Sequence, residues 1–125
     1  MTAKITYVYI MWCAGAGAAG MAKVGISTDP AKRRAQLATS SPFEIELFAI
    51  FGTADRFIAS SVEAAFHHVF RDRRRNGEWF EMTKREAVIG VVKSYTTGLV
   101  ALGGFERDEA DDYVNELSYI LADSR

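Results

Sequence analysis

At 125 residues and 49% hydrophobic, the chain can bury one core and has little length left for a second domain. Cys13, the single cysteine, excludes an internal disulfide; with no partner at metal-ligand spacing it argues against a zinc site, so a reducing, cytoplasmic setting is the simplest expectation. The formal net charge of -1 does not decide for or against nucleic acid. It hides a basic centre (Lys32, Arg33, Arg34, then Arg71, Arg73, Arg74, Arg75) and an acidic C-terminal segment (Glu106, Asp108, Glu109, Asp111, Asp112, Glu116).

Ile5 to Cys13 is rich in β-branched and aromatic residues and reads as a buried strand. Although Ile5 to Ala22 carries no charge, its Tyr, Thr, Gly and Ala fit a strand and loop better than a leader or a membrane span, and no membrane contact is expected. Ala14 to Gly20 has no side chain large enough to pack and predicts a loop, and Met21 to Ser27 reads as a second strand, giving an antiparallel hairpin. Asp29 followed by Pro30 predicts a helix start, and the helix runs to about Ala38. Phe43 to Phe51 begins by alternating and ends wholly apolar, a third strand.

From Ala54 to Arg73, Ile58, Val62, Phe66 and Val69 mark the apolar stripe of a long helix. After Asn76 and Gly77 turn the chain, "EWFEM" predicts a short extended piece, and Thr83 caps a helix through about Tyr95. Ala110, Val114, Leu117 and Leu121 would share one face of a last, acidic helix.

Gly15, Gly17 and Gly20 stand at GxGxxG spacing. A dinucleotide site needs such a loop to open a helix inside a parallel βαβ unit, with the pyrophosphate at the helix N-terminus. Here the following segment reads as a strand with no acidic residue at its end, so the glycines are expected to form a mobile hairpin tip.

Other residues carry more chemistry. Tyr7 and Tyr9 on the first strand and Lys23 on the second can converge on one face, although a half-buried aromatic and an edge-strand charge would give the same pattern. Arg33 follows on the next helix, where a solvated charge is the plain alternative. Glu63 lies beside the apolar stripe with His67 one turn on, and a carboxylate at a core boundary calls for a metal or a basic partner; a purely structural Glu–His pair is the other reading.

Taken in order, "YVY" (Tyr7, Val8, Tyr9), "KVG" (Lys23, Val24, Gly25), Arg33 in "RRAQL", Glu63 and His67 in "SVEAAFHHVF", and "GEWF" (Gly77 to Phe80) resemble the GIY-YIG nuclease superfamily. The likeness is to its phage-type branch, often labelled a phage DNA-binding domain, over about Ile5 to Met82. It implies an α+β fold, a small three-stranded antiparallel sheet flanked by helices. Residues 1–82 would be the nuclease core, and residues 83–125 a C-terminal helical extension packed on the same domain.

The resemblance further implies a metal-dependent endonuclease hydrolysing DNA phosphodiester bonds, inside a host cell if phage-encoded. Tyr9 would stand near the attacking water, Arg33 would bind phosphate, and Glu63 would hold Mg²⁺ or Mn²⁺. One carboxylate plus water and substrate oxygens suits Mg²⁺, and the planar Arg33 fork suits phosphate. Tyr7 replaces the glycine of the first motif and Lys23 the first tyrosine of the second.

A phenol of ordinary pKa near 10 is a poor base unless a cation supports its ionised form, so Lys23 is expected to act with Tyr9 in activating water. Leu37 stands where many relatives have a histidine or tyrosine, which makes His67 a candidate for a phosphate contact or proton transfer. Lys32, Arg34, Arg71, Arg73, Arg74 and Arg75 are the expected track for the DNA backbone. Glu78 is expected to pair with an arginine, and Trp79 and Phe80 to enter the core. The alternative function is a catalytically weak or inactive nucleic-acid-binding module on the same fold, and the acidic C-terminal segment would support the core or a homodimer contact.

Overall fold

Residues 5–14, 19–53, 55–75 and 77–101 are described by the computed structural model. The first strand, β1 (Thr6–Cys13), is buried along nearly its whole length, which fits its apolar run and puts it at the centre of the sheet. It pairs antiparallel with β2 (Met21–Ser27) on one side and β3 (Glu46–Thr53) on the other. A short fourth strand, β4 (Trp79–Glu81), adds to the far edge of β2, giving the order β3-β1-β2-β4. The expected α+β sheet flanked by helices is therefore present, with one strand more than the three expected: the "EWFEM" segment pairs with Met21–Lys23 instead of standing alone.

Three helices complete the described chain. In α1 (Pro30–Ala38) the Asp29 carboxylate accepts from the Lys32 N–H and Pro30 takes the first position, as its sequence predicts. The next helix, α2 (Arg56–Val69), is capped by Asp55, whose carboxylate accepts from Phe57 N–H. It is shorter than expected: Phe70 ends it, and Arg71–Arg73 form a separate 3₁₀ turn. The last, α3 (Lys84–Ala101), begins with a reciprocal box in which Glu86 N–H donates to the Thr83 hydroxyl and Thr83 N–H donates to the Glu86 carboxylate. It runs past the expected end at Tyr95. The helix read around Ala110 to Leu121 lies outside the described residues.

The sheet has two unlike faces. Val8, Ile10, Ala22 and Val24 point to α2 and α3, where they meet Val62, Phe66, Val91 and Tyr95 in the main core. Gly90 is needed there, because a Cβ would stand 2.6 Å from the Phe70 ring. Tyr9, Met11 and Ile45 form a smaller cluster on the opposite face, with Leu37 of α1 and Trp79 of β4 packed against it. Strand alternation thus splits the aromatic pair: Phe80 is fully buried in the main core, while Trp79 is half-buried on the other side.

The expected third strand begins three residues late, because the Ser41 hydroxyl accepts from the Phe43 N–H and donates to the Phe43 carbonyl, holding that stretch in a turn. Gly20 is no free tip. It is buried at φ +92° with the Trp12 ring occupying the space a side chain would need, and its carbonyl accepts from Met82 N–H. Gly15 and Gly17 lie outside the described residues. Among those described, no helix is long and apolar enough to cross a membrane.

Candidate functional site

The chemistry gathers where β2 loses its neighbour. Along β2, β4 pairs with Met21, Ala22 and Lys23, and the carbonyl of Val24, the next residue, is met by His67 Nε2 at 2.9 Å. A carbonyl only accepts, so Nε2 carries the proton in this contact and Nδ1 is the acceptor of the neutral ring. His67 thereby pins α2 to the sheet edge, and Glu63, four residues earlier, lies on the same side of that helix.

Tyr9 reaches this edge from the opposite face. Its cross-strand partner is Gly25, where a Cβ would overlap the Tyr9 hydroxyl. Only a glycine lets the phenol lie across β2. The Arg33 guanidinium, from α1, stands close enough to the phenol to favour its ionised form. Burial pushes the Tyr9 pKa above its ordinary value, with the nearby Glu63 and Glu78 charges adding to the rise and Arg33 opposing it.

Lys23 is buried, and its ammonium reaches Glu78 at 3.0 Å. That hydrogen bond holds the Glu78 carboxyl below the usual carboxylate range. Glu63 behaves in the opposite way. Burial raises its pKa and the Glu78 charge adds to this, while His67, Lys23 and Arg56 pull it back. Tyr9, Lys23, Arg33, Glu63 and His67 are thus brought together from β1, β2, α1 and α2.

Two pairings differ from the sequence reading. The cation that acts on the Tyr9 phenol is Arg33, and Glu78 bonds directly to Lys23, with Arg74 acting on it only through its charge. Glu78 and Arg56 are the charged neighbours that sequence reasoning missed as members of the group. The signal for Glu78 was its place just before a strand that docks on Lys23, legible only once that strand is known to pair.

The remaining basic residues spread outward. Lys32 and Arg33 are exposed on α1, whereas Arg34 turns back to donate to the Ile45 carbonyl. Arg73 pairs with Glu86, and Arg75 with Glu81 at 3.1 Å. The side chains of Arg71 and Arg74 donate to the backbone carbonyls of His68 and Gly77, and both residues are exposed.

No curated protein and no solved structure is significantly similar to the chain. Residues 6–95, from the first residue of β1 to Tyr95 of α3, match the T5orf172 domain; with well over half its length inside that match, the chain belongs to the T5orf172 domain family.

Proposed function

We propose that this chain is an endonuclease of the GIY-YIG type that hydrolyses DNA phosphodiester bonds with one hard divalent cation at Glu63. The observation that carries the reading is the convergence of a tyrosine, an arginine, a histidine and a half-buried glutamate on the open edge of β2. T5orf172 domains are phage-associated and occur in nuclease-like contexts, which supports the same reading.

The donor set fits such an ion. Ionised Glu63 is disfavoured by burial and by Glu78, and a cation relieves both. Among the described residues no group of three or more His, Cys, Asp or Glu is placed to hold a metal. A single half-buried carboxylate suits an ion that keeps several waters and takes its other oxygens from the substrate phosphate, as Mg²⁺ does. When bound, it would offset the charge developing on the phosphate and the leaving oxygen.

The protein groups divide the remaining work. Arg33, exposed beside Tyr9, offers its planar donor fork to a phosphate oxygen. The Tyr9 O–H would orient the attacking water or a phosphate oxygen, with Arg33 beside it. With its pKa raised, the phenol keeps its proton at neutral pH and positions rather than abstracts. Nδ1 of His67 is the group suited to accept a proton from that water. Lys23 fixes Glu78 beside Glu63. Lys32, Arg71 and Arg74, outside any ion pair among the described residues, are the cations available to the DNA backbone.

The test is cleavage of supercoiled plasmid and labelled duplexes with Mg²⁺ or Mn²⁺ against EDTA, comparing wild type with Glu63→Ala. Metal-dependent nicking abolished by the substitution is the expected outcome. Salt-sensitive binding, equal in both proteins and without cleavage, would make the chain a DNA-binding module on this fold.

A further inference from the structure

On the α1 face of the sheet, beside the Tyr9–Arg33 pair, lies an open cleft of about 340 Å³, at the small end of ligand-site volumes. Its walls are largely apolar and partly aromatic, from Met21, Leu37, Phe43, Ile45 and Trp79, with the polar Ser40 and Ser41 between them. Phe43 is 47% exposed at the rim, yet its backbone is fixed by the Ser41 hydroxyl, which both accepts from its N–H and donates to its carbonyl. A large aromatic presented to water from a fixed backbone is poorly explained by the core, to which it adds little.

The cleft shares Leu37, Ile45 and Trp79 with the cluster that packs around Tyr9. Leu37 is four residues after Arg33 on α1 and so lies one turn along the same face. Trp79 is the cross-strand partner of Lys23, and Leu37, Trp79 and Ile45 pack in one cluster with Tyr9. Among the described residues no carboxylate lines the cleft; Arg34 of α1 is tied to the Ile45 carbonyl at its wall, and exposed Arg33, one residue earlier, is the α1 cation left for a phosphate. A flat apolar ring tethered to a phosphate matches this arrangement, with the ring between Phe43 and Trp79 and the phosphate at Arg33.

We propose that the cleft takes one unpaired base of the nucleic-acid strand whose phosphate Arg33 holds. A base stacked and paired within a duplex cannot present its faces to two side chains, so the substrate it selects is a single strand, a flap or an extruded nucleotide. This inference rests on the nucleic-acid reading of the site but does not need cleavage.

The experiment uses the full chain in EDTA. Fluorescence anisotropy would compare binding of a short oligothymidylate with that of an abasic phosphodiester chain of the same length. Wild type should prefer the oligothymidylate by about ten-fold, the size expected for one base on an aromatic platform. Phe43→Ala should reduce oligothymidylate binding to the abasic level and leave abasic binding unchanged, and Phe43→Trp should restore the preference.

Salt-sensitive but equal binding of the two probes by wild type would overturn the cleft as a base site while leaving the phosphate site standing. Failure of both probes to bind would overturn the nucleic-acid reading with it. If Phe43→Ala instead abolished self-association of the chain without touching the base preference, the cleft would be a contact between copies and the proposal would fall.

Discussion

The two faces of the sheet are built from the same strands and serve opposite ends. Toward α2 and α3, Val8, Ile10, Ala22, Val24, Val62, Phe66, Phe80, Val91 and Tyr95 are at or near zero exposure in one continuous core. Toward α1, the buried cluster is only Tyr9, Met11 and Ile45, and Lys23 is buried beside it with its charge tied to Glu78. The large face supplies the burial that holds the fold, and that surplus lets the small face keep a phenol and several charges in partly desolvated positions. Stability and chemistry should therefore separate when each face is altered alone.

The largest effect belongs to the large face. Phe66→Ala removes a ring packed on Phe70 and Phe80, and should cost about 3–5 kcal/mol in urea unfolding. Any DNA cleavage per folded molecule should stay near wild type, since Phe66 contributes no polar group to the site. Gly25→Ala makes the converse case. Its methyl would displace the Tyr9 hydroxyl, at about 1–3 kcal/mol of overpacking, and should slow cleavage by about 10²-fold through misplacement of the phenol. Full cleavage by Gly25→Ala would show that the position of Tyr9 does not matter to the reaction.

Glu63 sharpens the comparison, because it stands on α2, the helix that covers the large face, and is nonetheless a cost to the fold. Its folded pKa is raised, so the stability it contributes is complete below the unfolded value and is lost as pH rises through the folded value. At neutral pH the ionised carboxylate opposes folding. Glu63→Gln should therefore raise the melting temperature in EDTA. Saturating Mg²⁺ should raise that of wild type by several degrees and leave the variant unmoved. Equal Mg²⁺ shifts in both proteins would remove Glu63 from the metal site.

Much of this was legible in the residues themselves. The hairpin, the Asp29–Pro30 helix start and the Thr83 cap follow from local chemistry that acts within a few positions, and the structure keeps them. What escaped was set by distant contacts. Nothing local says that Trp79–Glu81 will pair with Met21–Lys23, and without that pairing Glu78 cannot be matched to Lys23. Local periodicity likewise extends α2 through the arginines, where Phe70 instead turns back onto Phe66 and α3. The candidate site residues stood out one by one as a tyrosine on a strand, an arginine on a helix and a glutamate beside an apolar stripe. Their partners did not, because which cation meets which anion depends on how α1 and α2 clasp the two sides of one edge.

The smallest expected effect concerns ion pairs at the margin of both faces. Glu78 is held below its ordinary pKa chiefly by the Lys23 ammonium, and Glu86 by the Thr83 N–H and then by Arg73. For a depressed carboxylate the unfolded chain takes up the proton first. The stability is thus present above the unfolded value, near 4.5, and is lost as pH falls through the folded one. Both carboxylates are well exposed, so solvent screening limits the pair to about 1 kcal/mol or less. Glu78→Gln/Glu86→Gln should unfold in urea slightly more easily than wild type at pH 7 and converge with it as the pH falls below about 4. A difference that instead persisted unchanged into acid would mean that shape at these two positions, and not charge, is what the fold uses.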